Sequence, residues 1–305
     1  MIESVRSYYY FILGAAGSLT GWYLTAMYLS TVEQLRERAI FGALLGGFLG
    51  LALAAYDGLK TRSIGRFMRY GSIGLITGGV AGAFALMLAE YTLGEAKSRL
   101  GQSQSVWGSL LIRLFCWLMF AAVVGLGAVI NKGTQLYKGV LGGLVGGLLG
   151  GLLYEIPRIT NHGQSTPSII TPISLALLGG AVGCSVALVT TALRKAWIEV
   201  TDGKMKGETY DLSKFVDPRM RAKSEGVIGS GGCFIRIPGD PGVQSRHAKI
   251  HLVDGAPTLT VIPEAQKTGA QTFVNGRNIP TSVPLSNGDR IRVGSTTLLY
   301  RHKRR

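Results

Sequence analysis

A run of glycine-rich apolar stretches fills the first two thirds of the chain and stops at about residue 195. Inside these stretches charge is nearly absent; after them charge, proline and two-residue alternation appear together. A helix needs roughly 20 apolar residues to cross the hydrocarbon core. Six runs approach that length, at 8–29, 39–55, 73–93, 107–130, 139–154 and 173–193. The second and fifth are short and must borrow flanking residues. The first has no small-residue cleavage signal behind it, so it reads as a retained helix. These runs predict an all-α, glycine-rich membrane bundle of six helices over 1–195, with a separate water-soluble domain over 196–305.

The glycines follow a pattern. Gly42-xxx-Gly46-Gly47-xx-Gly50 recurs as Gly74-xxx-Gly78-Gly79-xx-Gly82 and again as Gly142-xxx-Gly146-Gly147-xx-Gly150, with a partial copy at Gly179-Gly180-xx-Gly183. Glycines four apart share a helix face, and a face without side chains lets helices associate closely in lipid. The first expectation is packing inside one bundle. A face that pairs protomers into an oligomer, or lines a pore, is the alternative. Trp22, Tyr23, Trp107, Trp117 and Trp197 fall where interfacial aromatics are expected.

Lys+Arg total 32 and Asp+Glu 17, giving a net charge of +15. The excess is shared by both halves, so anionic membrane lipid is a simpler partner than nucleic acid. With the N-terminus inside, the inner segments hold Arg6, Lys60, Arg62, Arg66, Arg69, Lys132, Lys138, Arg194 and Lys195; the outer ones hold Arg36, Arg38, Lys97, Arg99 and Arg158. Nine against five favours both termini in the cytoplasm of a multi-pass protein of the cell (inner or plasma) membrane. No acidic residue or histidine sits in mid-helix, which speaks against ion-coupled transport. Asp57, Glu90 and Glu155 follow the glycine patterns near helix ends and read as caps or inter-helix partners.

From residue 196 short β-type runs follow at 197–200, 206–212, 226–229, 233–237, 248–253, 258–262, 272–274 and 290–300. Asp202-Gly203, Asp254-Gly255, Asn275-Gly276 and Asn287-Gly288 are turn dipeptides. Many short strands with frequent turns predict a β-sandwich. His162, His247, His251 and His302 belong to no catalytic pattern, and no CxxC pair occurs, so neither enzyme nor metal site nor cofactor is expected.

Val227-Ile-Gly229, Phe234-Ile-Arg-Ile237, His247-Ala-Lys-Ile250, Phe273-Val-Asn-Gly276, Pro284-Leu-Ser-Asn-Gly-Asp-Arg-Ile291 and Val293-Gly294 stand in an order that resembles a forkhead-associated (FHA) domain. The membrane half resembles bacterial multi-helix proteins that end in such a domain, through Gly142–Gly151 and Lys195-Ala-Trp197. The resemblance implies an FHA/SMAD-like all-β sandwich that binds phosphothreonine peptides. It implies an arginine after the Ile-Gly of the third strand and a serine three residues before the histidine. It also implies a peptide-contacting Asn275, with Gly229 and His247 structural. Ser230 stands where the arginine should be and Gln244 where the serine should be, with Ser245 one place off register. Losing a charge-assisted pair costs about 1.5–3 kcal/mol, tenfold to a hundredfold in affinity. Arg236, Arg246 and Arg277 are the candidate substitutes. The peptide-binding set is Ser230, Gln244, Ser245, Arg246, Asn275 and Gly276.

Together these features predict a non-catalytic, membrane-anchored adaptor that recruits a protein partner, phosphorylated or not. The alternatives are a channel or transporter regulated by the FHA-like domain, and an oligomeric structural platform.

Overall fold

The computed structural model describes residues 2–28, 34–60, 64–100, 106–130, 136–160, 169–216 and 225–303. The chain divides into two compact units, Met1–Ala192 and Leu193–Arg305.

Among the described residues the first unit is built of helices: α1 (Ile2–Tyr28), α2 (Gln34–Ala54), a short α3 (Tyr56–Lys60), α4 (Ile64–Leu100), α5 (Val106–Val129), α6 (Leu136–Thr160) and α7 (Ile170–Ala192). Six are long, and they cover the six apolar runs. Five of these, α2 and α4 to α7, are long and apolar enough to cross a membrane. The exception is α1, which interleaves Tyr8, Tyr9, Tyr10, Trp22 and Tyr23 with its aliphatic residues. At 37 residues α4 is about 55 Å long, well beyond a hydrocarbon core of about 30 Å. Arg62 and Lys132 of the orientation count lie outside the described residues, as do the side chains of Asp57, Lys60, Lys97, Arg99 and Arg158.

The six long helices close a ring. α1 packs on α2, α2 on α4, α4 on α5, α5 on α6, α6 on α7, and α7 back on α1. Leu45, Leu49, Leu53, Phe120, Val124, Leu175, Val182 and Val186 share one buried cluster within it. The glycine copies meet in antiparallel order. A Cβ at Gly42 would strike the carbonyl oxygen of Gly82, one at Gly46 that of Gly78, and one at Gly50 that of Gly74. The third copy is two-sided. Gly142, Gly146 and Gly150 lie on the backbone of Val186, Val182 and Leu178 of α7, while Gly143 and Gly147 lie on Ala121 and Trp117 of α5. The partial copy faces α1, with Gly179 on Gly14 and Gly183 on Tyr10. The glycine faces are therefore occupied by neighbouring helices of the same chain and are not exposed to a partner or a pore. On α4 the opposite face carries Ile76, Val80 and Phe84, each about two-thirds exposed, as a lipid-facing stripe requires.

Trp117 departs from its interfacial expectation. It is buried, stacked edge-on against Phe120 and Tyr154, and donates Nε1–H to Glu155 at 3.2 Å.

The second unit is a β-sandwich. Its strands are β1 (Ala196–Asp202), β2 (Thr209–Asp211), β3 (Gly226–Gly229), β4 (Ile235–Arg236), β5 (Ala248–Val253) and β6 (Ala256–Val261). After α8 (Pro263–Lys267) come β7 (Thr272–Val274), β8 (Arg277–Asn278), β9 (Ser282–Pro284), β10 (Arg290–Val293) and β11 (Thr296–His302). One sheet has the order β2-β1-β11-β10-β7-β8 and the other β4-β3-β5-β6-β9. Alternate residues point inward, so Ile198, Val200, Ile228, Ile250, Leu259, Ile291, Val293, Leu298 and Tyr300 form the core. The run at 290–300 is two strands, because the chain reverses at Gly294, whose φ is +60°. Asp254-Gly255 and Asn275-Gly276 take positive φ at both residues and close two-residue hairpins β5–β6 and β7–β8.

Candidate functional site

Strand register sorts the loops of the sandwich into two ends. The chain enters at Ala196, which pairs with His302, and the Lys303 N–H donates to the Lys195 carbonyl at 2.9 Å. The Asp289 carbonyl accepts from the Tyr300 N–H, and the Arg290 carbonyl accepts from the Asn275 N–H. The turns around Asn275 and Asp289 therefore belong to this entry end.

The far end is built around His247. Its ring is wholly buried. Nδ1 accepts from the Gln244 N–H at 3.3 Å and Nε2 lies 3.0 Å from Thr272 Oγ1. The start of β5 is thereby tied to the start of β7 in the opposite sheet. Burial pushes the His247 pKa down, against a smaller upward pull from the Gln271 backbone and Asp240, so the ring is neutral and braces the loops.

Two loops are stitched together beside it. The Ser230 N–H donates to the Gln244 carbonyl at 2.9 Å, the Gly231 N–H to the Ser245 carbonyl at 3.1 Å, and the His247 N–H to the Ile228 carbonyl at 2.8 Å. Gly229 allows this closeness, since a Cβ there would strike the Ser245 carbonyl. The Cys233 thiol donates to that same carbonyl at 3.0 Å. Burial pushes the Cys233 thiol up, against smaller downward pulls from Arg246 and the Gly231 backbone. Behind it, Asp240 accepts from the Gly242 N–H, from the Ser295 N–H and hydroxyl, and from the Thr296 hydroxyl. Burial opposes ionisation of Asp240, but these donors outweigh it and hold the carboxyl below its usual range. The bonds pin the 240–242 segment to the β10–β11 turn.

Ser230, Gln244, Ser245 and Arg246 thus gather at one end, with Ser245 and Arg246 exposed. Asn275 and Gly276 do not join them. β7 runs from Thr272 at His247 to Val274 at the entry end, which puts Asn275 about 10 Å from Thr272. Both polar atoms of Asn275 are also engaged: Nδ2 donates to Asp289 at 2.9 Å and Oδ1 accepts from the Arg290 N–H at 2.9 Å. That side chain braces a turn. Of the substitute arginines, Arg246 shares the far end, exposed Arg236 pairs with Gly229 on β4, and Arg277 lies at the entry end. The segment 268–271 went unnoticed in the sequence, yet it leads into Thr272 and is held by the bond from the Ala270 N–H to Ala265. Its only sequence signal is Gly269.

The helical unit has its own polar cluster. Glu155, almost fully buried, accepts from Arg113 and Trp117 at 3.2 Å each, and Glu90 lies 3.7 Å from Arg38. They line a small cavity of about 60 Å³ together with Phe41, Cys116 and Tyr154. Each of these carboxylates has a cation from another helix, so the cluster ties α2 to α4 and α5 to α6.

Residues 226–294 match the model of the FHA domain family, and they form an FHA domain. No curated protein matches the chain. Among solved structures, similarity extends to an FHA domain from work on phosphothreonine-dependent FHA domain interactions, 25% identical over 36% of this chain and 99% of that one, TM-score 0.29. It extends to the FHA domain of the CT664 protein from Chlamydia trachomatis, 18% identical over 36% and 99%, TM-score 0.29. It also reaches the cytoplasmic domain of the T3SS sorting platform protein PscD from P. aeruginosa, 14% identical over 36% and 82%, TM-score 0.28.

Proposed function

We infer, from the FHA domain at residues 226–294, that the chain is a non-catalytic membrane adaptor. Its helices hold it in the cell membrane with both termini in the cytoplasm, and its sandwich recruits a protein partner. The observation that carries this reading is the placement of the loops. Ser230, Gln244, Ser245 and Arg246 converge at the end of the sandwich remote from Ala196, where the chain arrives from α7. A partner bound there meets loops facing away from the attachment.

Arg246 is the exposed arginine of this end, next in sequence to exposed Ser245 and on the loop bonded to Ser230. The guanidinium would grip the phosphate oxygens and a hydroxyl would add a hydrogen bond. Titration of the purified full chain with a degenerate phosphothreonine peptide library and its unphosphorylated twin tests this. Binding of the phosphorylated library alone, lost in Arg246→Ala, is the expected result. Equal binding of both libraries would replace it with phosphate-independent recruitment. Binding of neither would sink peptide recognition at this end.

A further inference from the structure

We propose that the cavity shared by α2, α4, α5 and α6 binds a phosphoethanolamine group, carried by a lipid of the membrane that holds the helices. The proposal rests on the membrane reading of those helices.

Each of the four helices gives the cavity one charge: Arg38 from α2, Glu90 from α4, Arg113 from α5 and Glu155 from α6. Two guanidinium groups and two carboxylates cancel. A bare anion would therefore meet two carboxylates, and a bare cation two guanidinium groups. A zwitterion meets an opposite partner for each of its charges. The two ion pairs differ in what they leave over. Buried Glu155 is committed to Arg113 and Trp117 at 3.2 Å each. Arg38 and Glu90 stand 3.7 Å apart with side chains about half exposed, too far for a hydrogen bond. That separation leaves the Glu90 oxygens open to an ammonium, whose three N–H groups are donors. It leaves the Arg38 fork open to phosphate oxygens. Arg113 gives Glu155 one of its five donors.

Size and depth select the rest of the ligand. The cavity of about 60 Å³ has room for about four waters, comparable to the aminoethyl arm of such a headgroup. Arg38 and Glu155 lie about 3 Å, and Glu90 and Arg113 about 9 Å, inside the ends of their apolar spans. Headgroups meet the acyl region at that depth, so a lipid brings the group to the level of the cavity. Phe41, Leu86 and Leu93 on the same lining offer its glycerol and first methylenes an apolar wall.

Native mass spectrometry of the full chain in maltoside micelles tests the proposal. The chain is offered phosphatidylethanolamine, phosphatidylcholine and phosphatidylglycerol with identical acyl chains. Resistance to alkaline extraction from liposomes is scored first; a chain that is extracted would overturn the membrane reading itself. Phosphatidylethanolamine adducts are expected to exceed each of the others about tenfold, since choline has no N–H to donate and the glycerol headgroup no cation. Glu90→Gln should remove that preference and leave the thermal midpoint of the helices unchanged. Equal adducts of all three lipids on the unmutated chain would overturn the site, whatever the variant does. A preference for phosphatidylglycerol would overturn it in favour of an anion site on the two arginines. A preference that survives Glu90→Gln would overturn the pairing of Glu90 with the ammonium. Displacement of the lipid by equimolar free phosphoethanolamine would overturn its lipid origin.

Discussion

The two units hold themselves together by opposite means. Between α2 and α4 the contact is backbone on backbone, with Gly46 against Gly78 and nothing between. In the sandwich the contact is bulk on bulk, with Ile228, Ile250, Leu259 and Tyr300 filling the space between sheets. The solvents explain the contrast. In lipid an aliphatic side chain gains nothing by leaving the tails for a neighbouring helix, so close packing must do the work. In water the same side chain gains by burial, at about 25 cal/mol per Å².

Two substitutions of opposite sense should break that comparison. Ile250→Ala empties part of the sandwich core and should cost about 4 kcal/mol, seen as early loss of the β signal on heating while the helical signal persists. Gly46→Leu fills a space that does not exist and should cost about 3 kcal/mol, seen as a lowered thermal midpoint for the helices in detergent with the sandwich unaffected. If Gly46→Leu were tolerated, α2 and α4 would not be held by backbone contact.

Polar groups sharpen the contrast further. Neutral, buried His247 binds a proton less readily when folded than when unfolded. Its contribution is therefore complete above the unfolded value of about 6.5 and falls away as pH drops toward the depressed folded value. The sandwich should lose stability over that acidic window, and His247→Gln should flatten the slope in denaturant titrations at stepped pH. Asp240 works at lower pH: its contribution is present above its unfolded value of about 3.9 and is lost below it. The smallest effect belongs to Tyr300. Burial raises its hydroxyl's pKa, and that hydroxyl has no hydrogen-bond partner among the described residues. Tyr300→Phe should therefore change stability by less than about 1 kcal/mol, or raise it, by chemical denaturation.

How much of this was legible in the sequence depended on length and repetition. The six long helices announce themselves because twenty apolar residues have few other uses, and the glycine copies because they recur. Which glycine meets which could not be read, since it depends on the order of helices around the ring. In the sandwich, branched alternation and Asp-Gly or Asn-Gly turns revealed the longer strands. β8 and β9, at two and three residues, are too short to show a period, and Gly294 alone marked the break inside 290–300. At the His247 end of the sandwich, the spacing from Gly229 and His247 is what singled out Ser230 and Gln244. Asn275 was misplaced because a motif says which residues are neighbours, and not at which end of a three-residue strand they lie. Trp117 and Glu155 are 38 positions apart, a separation that no local pattern spans.

The pairing of β1 with both β2 and β11 has a mechanical consequence. The chain enters the sandwich at the first residue of β1, and the loops around His247 lie at the other end of that strand. Tension between those two ends would run along β1 and load the hydrogen bonds to its two neighbours sideways and all together, as a lap joint carries shear. Ladders pulled in that direction share the force across every rung, where a peeled hairpin yields one rung at a time. Pulled between its two ends, the domain resists unfolding better than one peeled from an edge.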